Sequence, residues 1–180
     1  PVEASRAQHI IGGRAHLVLV ARDISARLKT ERALAENEAL FRASFEQAAA
    51  GMALLDQDGH ILMANQALAA MLECRRRELA GRHLRDVSLP EDRDMALNRH
   101  TAFLAAEEIT HQYEQRFQST SGELVWVRLH VAKIFDGEGR VLSLIAHVQD
   151  ITENRRAEEQ LRHQALHDPL TDLANRTLCL

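Results

Sequence analysis

Few residues of this chain have the types and spacing that chemistry requires. Its two cysteines, Cys74 and Cys179, lie far apart, with no CxxC pair and no Cys/His spacing around either. That disfavours a structural zinc site and a disulfide framework, and fits reduced thiols in a cytoplasmic protein. His60, His83, His111, His130, His147 and His163 are scattered without ligand spacing, so no metal is expected. The 22 basic residues, nearly all arginine, form no stripe, and the net charge is −4; both argue against a nucleic-acid groove. What the residues do offer is a lining. Tyr113, Gln115 and Phe117 alternate along one predicted strand, Val127, Leu129 and Val131 along the next, and Leu144, Ala146 and Val148 along the last. Alternation sends each set to one face of a sheet. Met52, Leu54, Met71, Leu84, Met95 and Phe103 are candidates for the opposite wall. Such a lining can bind a small apolar or amphipathic ligand, or it can close into a filled core; the residues leave both open. Trp126 falls on the other face with Arg128, His130, His147 and Gln149. An indole among polar neighbours suits contact with a helix or with a second copy of the chain, a homodimer.

The elements that must position these residues are legible from pattern. With 180 residues, 46% of them hydrophobic and 27% charged, the chain can bury a real core. GMALLDQDGHILMAN reads as a hairpin turning at Gln57-Asp58-Gly59. Asn65 caps a short helix from Gln66 to Leu72, and Arg76 to Leu79 makes another before Gly81. Pro90 opens a longer amphipathic helix with Met95, Leu97, Phe103 and Leu104 among its apolar positions. From Thr110 the period becomes two, with turns at Thr120-Ser121-Gly122 and at 136–139, and the last strand runs from Val141 to Gln149. Strand, strand, helices and three strands make an α+β fold, a five-stranded antiparallel sheet with helices on one side. The longest uncharged stretch, His60 to Leu72, is thirteen residues, too short and too polar to span a bilayer. No signal peptide is visible and the first residue is Pro1, so the chain reads as an excised fragment.

The sequence also nearly repeats itself. Gly12, Leu17, Asp23, Ile24, Glu31 and Leu34 recur 127 residues later as Gly139, Leu144, Asp150, Ile151, Glu158 and Leu161, and Ser25 returns as Thr152. In both copies a strand ends, Asp-Ile-Ser/Thr supplies an N-cap, and a charged helix leaves. The apolar positions of these two helices follow only partial 3.5-residue repeats, which weakly signal a coiled coil. Two such units imply a tandem array.

Phe41 to Thr152 resembles a PAS domain, a small sensor module whose five-stranded sheet and helical flank enclose a pocket. The carrying segments are FRASFEQAAAGMALLDQDGHILMAN, LPEDRD before the long helix, SGELVWV in the penultimate hairpin, and the closing DIT. Residues 1–23 are similar to the end of a preceding PAS domain, 24–40 would be a linker helix, 41–152 the PAS domain, and 153–167 a second linker helix. From His167, HDPLTDLANR looks like the opening of a GGDEF domain, the diguanylate cyclase fold, with Asp172 where that family usually has Gly. Residues 168–180 would be its truncated start. The glycine-rich GGDEF hairpin and metal-binding carboxylates are absent from these 180 residues, so no catalysis is expected within them.

The resemblance implies a sensory module that controls a downstream cyclic di-GMP enzyme, diguanylate cyclase or GGDEF–EAL phosphodiesterase, through helix and dimer geometry, with Asp150, Ile151 and Thr152 as the relay. Its partners would be a second copy and the GGDEF domain in cis. Neither nucleic acid nor membrane is expected to touch this segment. Alternatives are a ligand-free dimerisation and spacer module, or a haem or flavin sensor. Flavin-binding relatives carry a reactive cysteine in an Asn-Cys-Arg-Phe motif and polar amides on the last strands. Here Cys74 lies in ECRRRE, and Phe117, Val127 and Val148 stand where those amides would be, which argues against flavin. Haem-binding relatives use a histidine of the long helix, and the matching position falls nearer Leu97 than His100; a surface or hydrogen-bonded role for His100 is the expectation. No cofactor is therefore expected.

Overall fold

The computed structural model describes residues 2–11 and 14–166; the GGDEF-like segment from His167 lies outside them. The chain divides into two compact units, meeting between Ser44 and Phe45. In the first, β1 (Val2–Ile11) and β2 (Arg14–Asp23) form an antiparallel hairpin that places Val2 opposite Asp23. Helix α1 (Ser25–Gln47) leaves β2 at once. The start expected at Phe41 shifts accordingly: α1 runs unbroken through that position, Phe41 is 47% exposed, and the first side chain committed to the second unit's core is Phe45.

The second unit holds the predicted five-stranded antiparallel sheet. Its strands are β3 (Gly51–Leu55), β4 (Ile61–Ala64), β5 (Thr110–Gln118), β6 (Leu124–Phe135) and β7 (Val141–Asp150), in the order β4-β3-β7-β6-β5. Between β4 and β5 the chain forms α2 (Gln66–Met71), α3 (Arg76–Leu79), two 3-10 turns (Leu84–Val87 and Pro90–Asp92) and α4 (Arg93–Ala105). After β7, α5 (Thr152–Leu166) departs.

The core is the face that strand alternation selects. Phe117, Val127, Leu129, Leu144, Ala146 and Val148 are essentially inaccessible, and Leu68, Leu72 and Leu79 of the helical layer close over them. Burying such side chains gains about 1.5–3 kcal/mol each relative to exposure. Gly51 is needed for this closure, because a Cβ there would meet the Leu68 backbone and side chain at 3.2 Å. Asn65 ties hairpin to helix. Its Oδ1 accepts from the N–H groups of Leu68 and Met52, and its amide donates to the carbonyls of Phe45 and Ala50. The side chain is fully buried with its hydrogen-bonding capacity largely spent.

Candidate functional site

A small cavity opens between α4, the first 3-10 turn and the inner face of β5 and β6. Its volume is about 30 Å³. Leu55, Leu84, Ala96, Phe103 and Val131 form the apolar part of the wall. Arg85, Arg99, His83, His100, Tyr113 and Gln115 form the polar part. Helix periodicity explains the α4 contribution: Ala96 and Phe103 are seven residues apart and share one face, and Arg99 and His100 fall between them on that face.

The predicted lining is only partly brought together. Phe103, Tyr113 and Gln115 border the cavity, as do Leu84 and Val131. Phe117, Val127, Leu129, Leu144, Ala146 and Val148 are on the inner face but lie within packed core, not on the cavity, and Met71 packs partly buried against that core. Three placements need correction. Met95 is 49% exposed, because the buried stripe of α4 passes through Ala96 and Phe103, one step round the helix. Met52 and Leu54 occupy the outer face of β3, half-buried. The register sets this parity: Ala53 lies opposite Ala146 and Leu55 opposite Leu144, so those two point inward and their neighbours do not.

The polar wall has a definite hydrogen-bond state. Gln115, 5% exposed, donates from Nε2 to the Ser88 hydroxyl at 2.8 Å, and its Oε1 lies 3.5 Å from an Arg99 nitrogen. The Arg99 guanidinium stands 4.2 Å over the Tyr113 ring. Burial raises the Tyr113 hydroxyl above its ordinary pKa, so it remains a protonated donor. His100 donates from Nε2 to the Gln57 carbonyl at 2.9 Å. His83 accepts the Arg85 N–H on Nδ1 at 3.1 Å, which puts the ring proton on Nε2. Burial, helped by Arg85, His100 and His60, pushes the His83 pKa below its usual value, so the ring is neutral at pH 7. Gly59 makes room for it: the turn needs φ of +88°, and a Cβ would lie 2.8 Å from the His83 ring.

The second element of the site is the junction between β7 and α5. Asp150 Oδ1 accepts the Thr152 N–H at 2.8 Å, Ile151 donates its N–H to the Trp126 carbonyl at 2.8 Å, and the Trp126 N–H returns to the Thr152 hydroxyl at 3.0 Å. Ile151 is 2% exposed. Strand end, neighbouring strand and helix start are thereby locked into one hydrogen-bonded ring. Trp126 is on the outer sheet face as expected, half-buried, with the Arg155 guanidinium 4.0 Å over its ring. Arg155 also pairs with Glu114, which holds Arg128 at 2.8 Å; these two cations keep the Glu114 carboxyl below its ordinary pKa.

Residues 45–156 match the PAS fold family. The chain belongs to that family. This PAS domain is 33% identical over 142 residues to the probable diguanylate cyclase DgcE of Escherichia coli, a match covering 79% of this chain and 13% of that protein. It is 26% identical over 129 residues to the sensor histidine kinase TmoS of Ectopseudomonas mendocina, covering 72% of this chain and again 13% of the relative. The chain thus spans about an eighth of each of these curated relatives. Among solved structures it resembles the PAS domain of an HTR-like protein from Haloarcula marismortui, with TM-score 0.59 and 23% identity over 68% of this chain and 98% of that one. The PAS domain is a sensory, regulatory module, and among the described residues no helix is long and apolar enough to cross a membrane.

Sequence reasoning missed Arg85, Arg99 and His83 as cavity residues. Arg99 was within reach of it, being three residues after Ala96 and four before Phe103.

Proposed function

We propose that this PAS domain senses a small molecule in the α4–β5 cavity and passes its state through Asp150, Ile151 and Thr152 to α5. The output is a cyclic di-GMP enzyme that follows in the full-length protein, working as a homodimer. The observation that carries this reading is the hydrogen-bonded ring of Trp126, Ile151 and Thr152, which leaves α5 no way to keep its crossing if β6 or β7 shifts. The similarity to a probable diguanylate cyclase and the HDPLTDLANR segment support the choice of output.

The test uses the full-length protein, assayed for conversion of GTP to cyclic di-GMP. Thr152→Val opens the ring without touching either the cavity or the output domain, and should change turnover about fivefold or more; unchanged turnover overturns the relay. The 180-residue chain alone should consume no GTP. A second reading, a ligand-free dimerisation and spacer module, rests on the small cavity volume of about 30 Å³. A native mass spectrum separates the two: added mass on a dimer supports the sensor, a bare dimer the spacer.

A further inference from the structure

One cation in the cavity wall has no anion to answer it. Other partly buried arginines of the sheet are paired: Arg116 with Asp92 and Glu91, each at 2.7 Å, and Arg128 with Glu114. Arg99 meets only the Tyr113 ring and the Gln115 carbonyl oxygen at 3.5 Å, and makes no ion pair among the described residues. Asp92 is within its electrostatic reach, but both Asp92 oxygens are held by Arg116. Arg85, in the same wall, reaches only its chain neighbour Asp86, at 3.9 Å.

The neutral donors show the same excess. The Tyr113 hydroxyl has no hydrogen-bond partner among the described residues. The His83 Nε2–H, also unpartnered there, is buried beside Gly59, where a Cβ would lie 3.0 Å from it, and has no open surface to offer. A cavity whose wall offers an unpaired guanidinium and a spare O–H group, and no carboxylate, suits an acceptor-rich anion.

Shape narrows the class. A planar guanidinium matches a carboxylate through paired N–H···O contacts. Leu55, Ala96, Phe103 and Val131 on the other side suit a short alkyl tail. Building on the sensor reading above, we infer that the cavity binds a short-chain monocarboxylate, its head group on Arg99 and Arg85 and its alkyl part against that apolar wall.

The experiment titrates the purified 180-residue chain, at fixed ionic strength, with acetate, propionate and butyrate, and in parallel with acetamide and propionamide. Backbone amide NMR shifts report binding. The expected result is saturable shifts at residues 96–103 and 113–115, with an acid binding at least about tenfold tighter than its own amide. Arg99→Gln should lower that affinity at least about tenfold, while Arg99→Lys, which keeps the charge, should retain part of it. Should Arg99→Gln disturb the β7 and α5 resonances, Tyr113→Phe decides instead, with weaker acid binding expected and unchanged binding contradicting the proposal. Equal binding of acid and amide, no saturable binding by any of the five compounds, or full affinity in Arg99→Gln would each overturn it. None of those results touches the relay, which is read from cyclic di-GMP output in Thr152→Val.

Discussion

The chain makes the same strand-to-helix junction twice, and the two copies differ in what surrounds them. At the first, Asp23 Oδ1 accepts the Ser25 N–H at 2.8 Å and Leu28 N–H closes the first helical turn on the Ile24 carbonyl at 3.0 Å. At the second, Asp150 accepts the Thr152 N–H at 2.8 Å and Arg155 N–H closes on Ile151 at 2.9 Å. Local geometry is therefore a property of the Asp-Ile-Ser/Thr sequence alone. The tertiary setting is not. Ile151 is 2% exposed and bonded to Trp126, whereas Ile24 is half-buried. The side chains described along α1 pair mainly within the helix, Arg27 with Glu31 and Arg42 with Glu38, both exposed, and such pairs contribute only about 0.3–0.5 kcal/mol each. The start of α5 is held instead by the sheet, through Thr152 to β6 and through Arg155 to Glu114 on β5. The lesson is that one motif can be a simple helix cap or a mechanical coupling, depending on whether its isoleucine enters a core.

The largest expected effect tests that isoleucine. Ile151→Ala should destabilise the sheet unit by about 2–4 kcal/mol in urea unfolding, whereas Ile24→Ala should cost under about 1 kcal/mol; equal costs would erase the distinction between the junctions. Thr152→Val should cost about 1 kcal/mol by leaving the Trp126 N–H without its acceptor. The matching change Ser25→Ala keeps the backbone N–H bond to Asp23 and loses only the hydroxyl's contact with that exposed carboxylate, and should cost less. The smallest effect is in acid. Arg155 and then Arg128 hold the Glu114 carboxyl below its ordinary pKa. The folded state thus favours the ionised form, so this contribution is present above the unfolded value of about 4.3 and is lost as pH falls through the lower folded value. Trp126, the sole tryptophan, lies under Arg155, so its fluorescence should change below about pH 4 as that contact loosens. In Glu114→Gln the acid step should vanish; its persistence would place the titrating group elsewhere.

Most of the fold was legible because its signals are local. Period-two runs marked β5, β6 and β7, Asp58-Gly59 marked the hairpin turn, and Asn65 marked the start of α2. The 127-residue repeat marked both junctions. Placement inside elements was less legible where several apolar residues adjoin. In GMALL every side chain is apolar, so the pattern cannot give parity; the pairing of Ala53 with Ala146 decides it, and Met52 and Leu54 turn outward. Met95 follows the same logic on α4. The cavity's polar wall was hidden for a different reason. His83 and Arg85 belong to the first 3-10 turn and its cap, Arg99 to α4, and the two elements meet only once the sheet has packed; an arginine on a helix ordinarily reads as a solvated side chain. Asn65 showed its cap role in sequence, but not its bonds to Phe45, Ala50 and Met52, which require the folded hairpin.

Amide hydrogen exchange at the two junctions tests the central claim most directly. The N–H groups of Leu28 and Arg155 make the same bond in the two copies, so after correction for intrinsic rates any difference reports the surroundings. The coupled junction predicts that Arg155 and Ile151 exchange at least about tenfold more slowly than Leu28, equivalent to about 1.4 kcal/mol of added local stability. Thr152→Val should remove most of that difference. Equal protection at Leu28 and Arg155 would mean that α5 is no more fastened to its sheet than α1 is to its hairpin, and the relay would have no mechanical basis.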